Sequence, residues 1–476
     1  MAEINSTLGC FAFCRELNKG KPCYSLTATG GTNSGNATIT FAASSTDNDG
    51  NLYPEGGLAS LAADLFNGLE VFFVNDASGG DLTGKIYSIT DTEWAADVLT
   101  ITLDGTTIDT PASGDEVLIL GRLRASGFNP TIGNEDLPLD DFVRSTWDRA
   151  PSLKGLETCS GSFNCYLPPL ASAVTGSSVA KDRYASLLET MFSRREVPSL
   201  TTSGTGSTVS KLAVADGSNH AVGDAIVIDG HKRRVTEVDL VPTPDEVHFA
   251  PDIPLASVPG DAETIQGGEL FTPLDTGQET VTFIHLMDTQ LREFSGCMID
   301  IGSISGEFGQ LVTMEVTFDG EGWALYDSQT ADAYLSTNGP QVMLKSAFHF
   351  NGTLLPKVTA FTFALGVARE VYRSSGTSLS DGGQEVVMTD RQATMATTFQ
   401  NQSKAHKATT EALGTTARME VQVGNEAPGI VGFTGLAQCA DPSSYEEVSS
   451  ISHYNQTWAF RDRHNADATP PQISRH

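Results

Sequence analysis

The residues of this chain that could carry out catalysis form no recognised catalytic pattern. The sequence contains no Gly-x-Ser-x-Gly nucleophile elbow, and its nine histidines include no His-Glu-x-x-His pair. Gly30 and Gly35 have the spacing of a phosphate-binding loop, but Asn36 stands where that loop needs a lysine. A hydrolase with paired carboxylates is an alternative, yet nothing marks one pair among 59 acidic residues. We therefore expect no enzymatic activity and no cofactor.

The candidate metal ligands are also incomplete. The segment Asp47-Asn48-Asp49-Gly50 has the residue types of a calcium loop but lacks the closing Glu of an EF-hand. Three N-terminal cysteines, Cys10, Cys14 and Cys23, could hold a metal only with a fourth ligand. We therefore expect no metal site.

The remaining cysteines are too few for a disulfide scaffold, since seven are spread along the whole chain. Cys159 and Cys165 would share one face of a strand, too far apart to bond to each other. Each could pair with a distant cysteine such as Cys297, but buried free thiols are the expected state.

The charge of the chain limits its partners. The 476 residues include 29 basic and 59 acidic side chains, a formal net charge of −30. This charge argues against electrostatic wrapping of nucleic acid and against docking on an anionic membrane. It does not exclude a protein that DNA must slide past without sticking. We expect no membrane association and no secretion, because the sequence has no apolar run of about 18 residues and no hydrophobic signal core at its start.

The elements that would position any site are mainly β-strands. Residues 26–120 contain short apolar runs separated by Gly and Asp turns, which indicates a small β-barrel or sandwich. Residues 203–270 show a similar order of strands and turns. Both segments contain Pro followed by Gly-Asp, at Gly114-Asp115 and at Gly260-Asp261, which suggests an internal repeat. The alternative is that Gly-Asp turns recur in any β-rich chain.

Between these modules the sequence predicts a strand and a helix. Residues 157–167 can form a strand that Pro168 and Pro169 end. An apolar stripe at helical spacing follows, and a packing role against a sheet is the expected one: Tyr184, Leu187, Leu188, Met191 and Phe192. Farther on, Met314, Val316 and Phe318 alternate with polar residues, as in a half-buried antiparallel strand.

The segment from Arg144 to Arg149 combines Trp147 with two guanidinium groups. A stacking site for nucleic-acid bases is one interpretation. In a chain this acidic, an Arg–carboxylate contact between subunits is the better one.

The order of these elements is similar to that of the tail tube (major tail) proteins of long-tailed bacteriophages. The resemblance is carried by an acidic loop, a strand ending in Pro, a short amphipathic helix, and long strands around residues 294–300 and 306–316. It covers roughly residues 121–200 and 275–465. It implies a β-sandwich or barrel with a flanking helix, whose copies join edge to edge into rings that stack into a tube for DNA.

The resemblance divides the chain into six parts. These are an N-terminal arm (1–25), a small β decoration module (26–120), a discontinuous first tube domain (121–202 and 271–335) interrupted by a small β module (203–270), a second tube domain (336–465) and a loose tail (466–476). Two tandem tube domains would give trimeric, pseudo-hexameric rings. A hexamer of one enlarged domain is the alternative.

The resemblance also implies where the chain acts and what it touches. We expect a structural virion protein, assembled in the host cytoplasm, with further copies of itself and other tail proteins (tape measure, terminator, baseplate) as partners. Genomic DNA would pass through the lumen without specific binding. The expected inter-subunit residues are Glu135, Asp136, Asp140, Asp141, Arg144, Trp147 and Arg149. The alternative is another β-rich virion or surface protein, in a baseplate, a fibre or a carbohydrate-binding adhesin.

The charge is distributed unevenly over these parts. Residues 26–120 contain 14 acidic side chains and one basic one, and residues 203–270 contain 11 acidic and four basic ones. The two small modules therefore hold two-thirds of the net charge. If they face outward, most of the acidity is a solubility coat on the exterior of the tube.

Overall fold

The computed structural model describes sixteen segments of the chain, and the statements below refer to them. These segments are 10–16, 26–42, 66–95, 98–137, 153–170, 182–274, 278–287, 290–327, 343, 346–355, 357–374, 383–400, 416–424, 429–448, 451–460 and 471–476. Strands dominate them, and the prediction of a mainly β fold is confirmed.

The strands and the helix follow one another in this order. The first part contains β1 (Cys10–Arg15), β2 (Leu26–Thr27), β3 (Gly30–Thr32), β4 (Thr38–Ala42), β5 (Glu70–Asn75), β6 (Ile86–Ala95), β7 (Val98–Leu103), β8 (Glu116–Arg122), β9 (Ala125–Leu137) and β10 (Leu153–Tyr166). The middle contains α1 (Arg183–Glu189), β11 (Phe192–Val197), β12 (Leu200–Thr201), β13 (Lys211–Val214), β14 (Ala225–Ile228), β15 (His231–Asp239), β16 (Asp245–Ala250), a 3-10 turn (Leu255–Ser257), β17 (Thr264–Ile265), β18 (Gly268–Pro273), β19 (Val281–Met287), β20 (Gln290–Glu307), β21 (Thr313–Gly320) and β22 (Gly322–Asp327). The last part contains β23 (Ser346–Phe350), β24 (Thr353–Leu355), β25 (Val358–Ala364), β26 (Val367–Ser374), β27 (Gly383–Arg391), β28 (Thr394–Gln400), β29 (Thr416–Val423), β30 (Val431–Val448), β31 (Ile451–Phe460) and β32 (Gln472–Arg475).

The helix α1 is shorter than its apolar stripe predicts. Asp182 caps it by accepting a hydrogen bond from the backbone N–H of Ala185 at 2.8 Å. Tyr184, Leu187 and Leu188 are buried, as the stripe predicts. The helix ends at Glu189, and Phe192 is already the first residue of β11. The stripe continues past the helix end because the strand that follows buries its own apolar residues in the same core.

The same set of seven antiparallel pairings occurs twice in the chain. In the first repeat, β1 pairs with β8 and β19, β20 pairs with β19, β21 and β22, and β10 pairs with β9 and β21. In the second repeat, β23 pairs with β24 and β29, β30 pairs with β29, β31 and β32, and β28 pairs with β25 and β31. The two repeats therefore have one topology, in which β20 and β30 are equivalent strands of 18 residues each.

Both ends of the described chain belong to these repeats. The predicted N-terminal arm contains β1, whose Phe13 is fully buried and pairs with Phe283. The prediction of a loose tail is wrong for residues 471–476, because β32 pairs with both β18 and β30. All six of these residues are buried. The tail is polar, but main-chain pairing and side-chain contacts hold it in the fold, including those of Arg475 with Asp182 and of Gln472 with Thr272.

Each repeat is a sandwich in which one long strand contributes to both sheets. The first half of β20 lies in an outer sheet with β19 and β22, and its second half lies in an inner sheet with β21. Aromatic rings fill the space between the sheets, with Phe283 and Phe318 at 5.0 Å between ring centroids. In the second repeat, Phe363 and Phe433 are separated by 5.1 Å. This apolar layer supplies the main folding energy of each repeat.

The two small modules cover the outer sheets, away from the inner sheet. In the first module, Phe72 and Leu120 pack against Ala12 and Ile284 of the first repeat. The second module has a four-stranded sheet (β13, β16, β15, β14) and its own apolar core. It reaches the second repeat through Lys232, whose Nζ donates a hydrogen bond to Thr434 Oγ1 at 2.6 Å. Burial lowers the pKa of Lys232 to about 8, although the charge of Glu420 opposes this shift.

The turns shared by the modules differ from the predicted ones. Asp115 and Asp224 are buried, and each accepts a hydrogen bond at 2.8 Å from the backbone N–H three residues earlier. Asp261 instead is exposed and accepts a hydrogen bond from the N–H of Gly204. Gly223-Asp224 is therefore the counterpart of Gly114-Asp115, and the predicted pairing with Gly260-Asp261 is wrong. Each of these two Gly-Asp dipeptides lies directly before a strand, and the carboxylate of its aspartate closes the turn that leads into the strand.

Four of the described cysteines are buried free thiols: Cys159, Cys165, Cys297 and Cys439. Burial raises the pKa of the Cys165 thiol to about 12. The sulfur atoms of Cys159 and Cys297 both lie over Gly320, where a Cβ would come within 2.7 Å of each, and the two thiols are joined by a hydrogen bond. The expectation of buried free thiols is confirmed at these four positions, whereas Cys14 is disulfide-bonded.

A buried carboxyl group in the first outer sheet makes stability depend on pH. Burial, together with the charge of Glu16, raises the pKa of Glu293 to about 7. Between pH 4.5 and 7 the folded state therefore holds a proton that the unfolded state releases, so stability falls as pH rises. We expect Glu293→Gln to leave the free energy of unfolding unchanged near pH 4.5 and to raise it above pH 7 by up to about 3 kcal/mol. Urea unfolding at both pH values measures this, with the exposed Glu237→Gln as the control. Equal pH profiles for Glu293→Gln and the unmodified protein would refute it.

Candidate assembly interface

The inner sheets of the two repeats form one continuous sheet of eight strands. Its order is β9, β10, β21, β20, β25, β28, β31 and β30. The joint between the repeats is the antiparallel pairing of β20 with β25, from Ile304 opposite Phe363 to Glu307 opposite Ala360. Each repeat thus contributes four strands, and main-chain hydrogen bonds cross the boundary between the repeats.

The two faces of this inner sheet differ in chemistry. One face is apolar and buried, as shown by the alternation of buried Met314, Val316 and Phe318 along β21. The other face is polar and is at least partly exposed: Ser126, Asn129, Thr131, Ser160, Ser162, Asn164, Ser303, Ser305, Glu307, Thr313, Glu315, Thr317, Asp319, Ala360, Thr362, Ala364, Thr394, Ala396, Thr398, Gln400, His453, Asn455 and Thr457. None of these residues is Lys or Arg, and the charged groups among them are carboxylates.

Cross-strand hydrogen bonds connect neighbouring side chains of the polar face. The hydroxyl groups of Ser305 and Thr313 lie 3.2 Å apart. The hydroxyl group of Thr398 donates to the side-chain oxygen of Asn455 at 2.8 Å. These groups satisfy one another and water, so the face needs no protein layer to cover it.

The inner sheet ends in two edges that pair with nothing else in the described residues. At one end, β9 pairs with β10 alone. At the other end, the second half of β30 pairs with β31 alone, because β29 reaches only Gln438. When the strand pairings of the two repeats are matched, β9 is the counterpart of β25 and β30 is the counterpart of β20. The two unpaired edges are therefore the equivalents of the two strands that form the internal joint.

Two β-hairpin arms extend beyond the inner sheet. The first continues β9 and β10 past Cys159, where β10 stops pairing with β21. The second is formed by β26 and β27, which continue β25 and β28. Both arms point toward the same end of the sheet, because each is the outward extension of a β9-type and a β10-type strand.

The second arm shows how such an arm contacts a neighbouring repeat. The guanidinium of Arg369 in β26 donates to the carbonyl of Met298 at 2.9 Å and forms an ion pair with Asp319 at 3.0 Å. The backbone N–H of Val367 donates to the carboxylate of Asp300 at 3.4 Å. Burial raises the pKa of Asp300, although the charge of Arg369 opposes this shift. Val367 and Arg369 of the second arm thus bind the second repeat to β20 and β21 of the first repeat.

Two of the seven residues predicted from the sequence fall on the first arm. Glu135 and Asp136 belong to β9, and the backbone of Asp136 pairs with Lys154. The other five residues lie outside the described residues: Asp140, Asp141, Arg144, Trp147 and Arg149. The structure therefore neither brings the acidic residues and their predicted anchors together nor separates them. Their contact between subunits stays a prediction.

Sequence reasoning missed Arg369 and the two unpaired edges. The sequence did contain an indication of the unpaired edges. β20 and β30 are both unusually long and are each followed by a second strand after a short connection, which indicates that they are equivalent strands of a repeat. Arg369 carries no such signal, because its partners lie about 50 to 70 residues away in the sequence.

Comparison with known sequences identifies no family for this chain: no protein family matches it, and no curated protein matches it in sequence. The described residues contain no group of three or more His, Cys, Asp or Glu side chains that could hold a metal ion. Their helical segments are too short and too polar to cross a bilayer.

Proposed function

We propose that this chain is a structural protein of a bacteriophage tail, which assembles into rings that stack into the tail tube. One observation supports this proposal above the others. The inner sheet already contains one joint between two equivalent repeats, and its unpaired edges are the equivalents of the strands in that joint. If β9 of one copy pairs with the end of β30 of the next, the internal joint is repeated between subunits. Such a heterologous contact closes into a ring when the rotation allows it.

The width of the resulting barrel favours three copies in a ring. Each copy supplies eight inner strands, so a trimer would form a barrel of about 24 strands. With a strand spacing of about 4.8 Å and a tilt of about 40°, this barrel would be about 45–50 Å across between strand axes. Such a barrel admits a DNA duplex. Six copies would give about twice this width, far more than one duplex needs.

The chemistry of the polar face suits the passage of DNA. Phosphate binding needs Lys and Arg side chains, and the strand residues that make up this face include neither. The guanidinium of Arg369, which bonds to Thr317 of this face, is balanced by its ion pair with Asp319. The carboxylates Glu307 and Glu315 repel phosphate. A lumen lined by hydroxyl and amide groups with a few carboxylates would let DNA slide without specific binding. The two acidic modules would then lie on the exterior, since they cover the outer sheets.

The arms would strengthen the joint between subunits. Within the chain, Val367 and Arg369 of the second arm contact Asp300, Met298 and Asp319 of the neighbouring repeat. Residues 135–137 occupy the equivalent place on the first arm. They would contact β30 and β31 of the next copy in the ring, with Arg144, Trp147 and Arg149 completing this contact. Tail proteins such as the tape measure, the terminator and the baseplate would bind the assembled tube.

Electron microscopy of the purified protein tests the proposal. We expect rings or tubes when the protein is concentrated in moderate salt, in the absence of any other protein. Monodisperse monomers under these conditions would contradict it. Binding on a glycan array without polymerisation would instead favour an adhesin, a fibre or a baseplate component.

A further inference from the structure

Phe308 is held at the surface in a way that an isolated monomer does not need. Its side chain is 62% exposed, and among the described residues it is the one phenylalanine in this state. It lies in the turn between β20 and β21, next to the exposed Glu307. An exposed aromatic side chain gives up hydrophobic stabilisation unless a partner covers it.

Backbone hydrogen bonds fix the turn that carries Phe308. The N–H of Phe308 donates to the carbonyl of Thr359 at 2.8 Å, and the N–H of Gly309 donates to that of Met343 at 2.9 Å. The N–H of Met343 donates in return to the carbonyl of Gln310 at 2.9 Å. Gly309 adopts φ = +83°, which glycine accepts without strain. The aromatic ring is therefore presented from a rigid base, and binding through it would cost little conformational entropy.

The direction of the strands places this turn at one end of the inner sheet. β20 runs into the turn and β25 starts beside it, whereas both arms extend from the opposite end. In a stack of identical rings, the turn end of one ring meets the arm end of the next. The lateral edges of the sheet are already used in ring closure under the proposed function. A copy of this chain in the adjacent ring is therefore the partner that repeated stacking brings to Phe308.

The two repeats differ at this position. In the second repeat, Ser449 and Ser450 connect the equivalent strands β30 and β31. Between these two strands, only the first repeat thus carries an aromatic residue. A trimeric ring would present three Phe308 side chains in alternation with three Ser449-Ser450 connections. The next ring in the stack could then distinguish the two kinds of repeat.

We infer that Phe308 is an anchor of the contact between stacked rings and that it sets their rotational register, an inference that rests on the proposed tube function. Buried aromatic residues at the centre of an interface commonly contribute most of its binding energy. The partner is a second copy of this chain at its arm end.

The test compares three variants by electron microscopy and sedimentation. We expect Phe308→Ser to form rings but to lower the fraction of protein in tubes by about tenfold or more. Phe308→Trp retains a large aromatic group and should form tubes. Leu255→Ser is the matched control, because Leu255 is 81% exposed on the outer module and should not affect stacking.

The outcomes separate this inference from the proposed function. Tubes of normal length from Phe308→Ser would overturn the inference, including the case in which Phe308 contacts a different tail protein. Loss of tubes in both Phe308→Ser and Leu255→Ser would also overturn it, since stacking would then depend on surface apolarity in general. Absence of rings from the unmodified protein would contradict the proposed function itself.

Discussion

Replacing residues 134–157 with Asn-Gly is expected to abolish ring formation while the monomer stays folded. Gly133 pairs with Thr158, so a two-residue turn can close the shortened hairpin at this point. β10 pairs with β21 only from Cys159 onward, and the deletion therefore leaves the inner sheet intact. It removes all seven predicted interface residues, from Glu135 to Arg149. Losing the arm would weaken each joint between subunits, and a closed ring depends on every joint.

The measurement is the mass of the assembled species by light scattering, together with the thermal unfolding temperature. We expect monomers in place of rings and an almost unchanged unfolding temperature. The matched control shortens another hairpin by the same operation. Replacing residues 240–244 with Asn-Gly trims the exposed β15–β16 loop of the outer module, and we expect it to leave the rings unchanged. Rings of normal mass from the arm deletion would show that the arm is not part of the joint.

Arg475→Ala is expected to destabilise the monomer by about 3–5 kcal/mol, because it removes the ion-pair partner of Asp182 and leaves the buried Glu269 with Arg194 alone. Arg475 is completely buried in β32. It donates to the carbonyl of Pro168 at 3.0 Å, forms an ion pair with Asp182 and lies 3.2 Å from the carboxylate of Glu269. These partners come from the segment after β10, the cap of α1 and β18. One side chain of the second repeat thus connects three elements of the first.

The titration behaviour of these carboxyl groups reflects the same network. Burial opposes ionisation of Asp182, but the charge and hydrogen bond of Arg475, the N–H of Ala185 and the charge of Arg183 together hold the pKa of Asp182 below its ordinary value. Burial raises the pKa of Glu269, although Arg475 and Arg194 oppose this shift. Removing Arg475 would leave Asp182 unpaired at the helix N-terminus and would raise the pKa of both groups.

Chemical denaturation measures the effect of Arg475→Ala. The control is Lys211→Ala, because Lys211 and Glu246 form a partly exposed ion pair at 2.6 Å. Such pairs contribute less than about 1 kcal/mol. If both variants lose the same small amount of stability, Arg475 does not connect the two repeats as described.

The strands were the part of the fold that local sequence predicts best. Met314, Val316 and Phe318 alternate with polar residues, and they are buried while their neighbours face outward. The alternation works here because β21 has one face on the core and one face on water. The helix α1 was also predictable, although its end was not, since the apolar periodicity runs on into β11.

The ends of the chain were mispredicted because their partners are remote in sequence. Cys10 pairs with Leu286, so nothing within the N-terminal segment indicates that it forms the first strand of a repeat. The segment Gln472-Ile473-Ser474-Arg475 contains one apolar residue, and such a composition is typical of exposed chain. It is buried because its main chain pairs with β18 and β30 and because Arg475 binds Asp182 at the cap of α1. Partners that are this remote in sequence cannot be derived from the hydropathy of the segment itself.

The predicted interface residues stay a prediction, and the structure shows only where two of them lie. The acidic segment around Glu135 and Asp136 lies on an arm next to an unpaired edge, which agrees with a role in assembly. The edge itself and the contacts of Arg369 depend on which strands become neighbours in the inner sheet. Strand order across two repeats is a property of the whole chain, and no short motif encodes it.

The number of copies in one ring tests the account most directly. Cryo-electron microscopy of the assembled protein gives this number, together with the strand order around the lumen. We expect three copies per ring, with β9 of each copy paired to the end of β30 in the next and the polar face of the inner sheet turned to the lumen. A ring of six copies, or a lumen lined by the small modules, would contradict it.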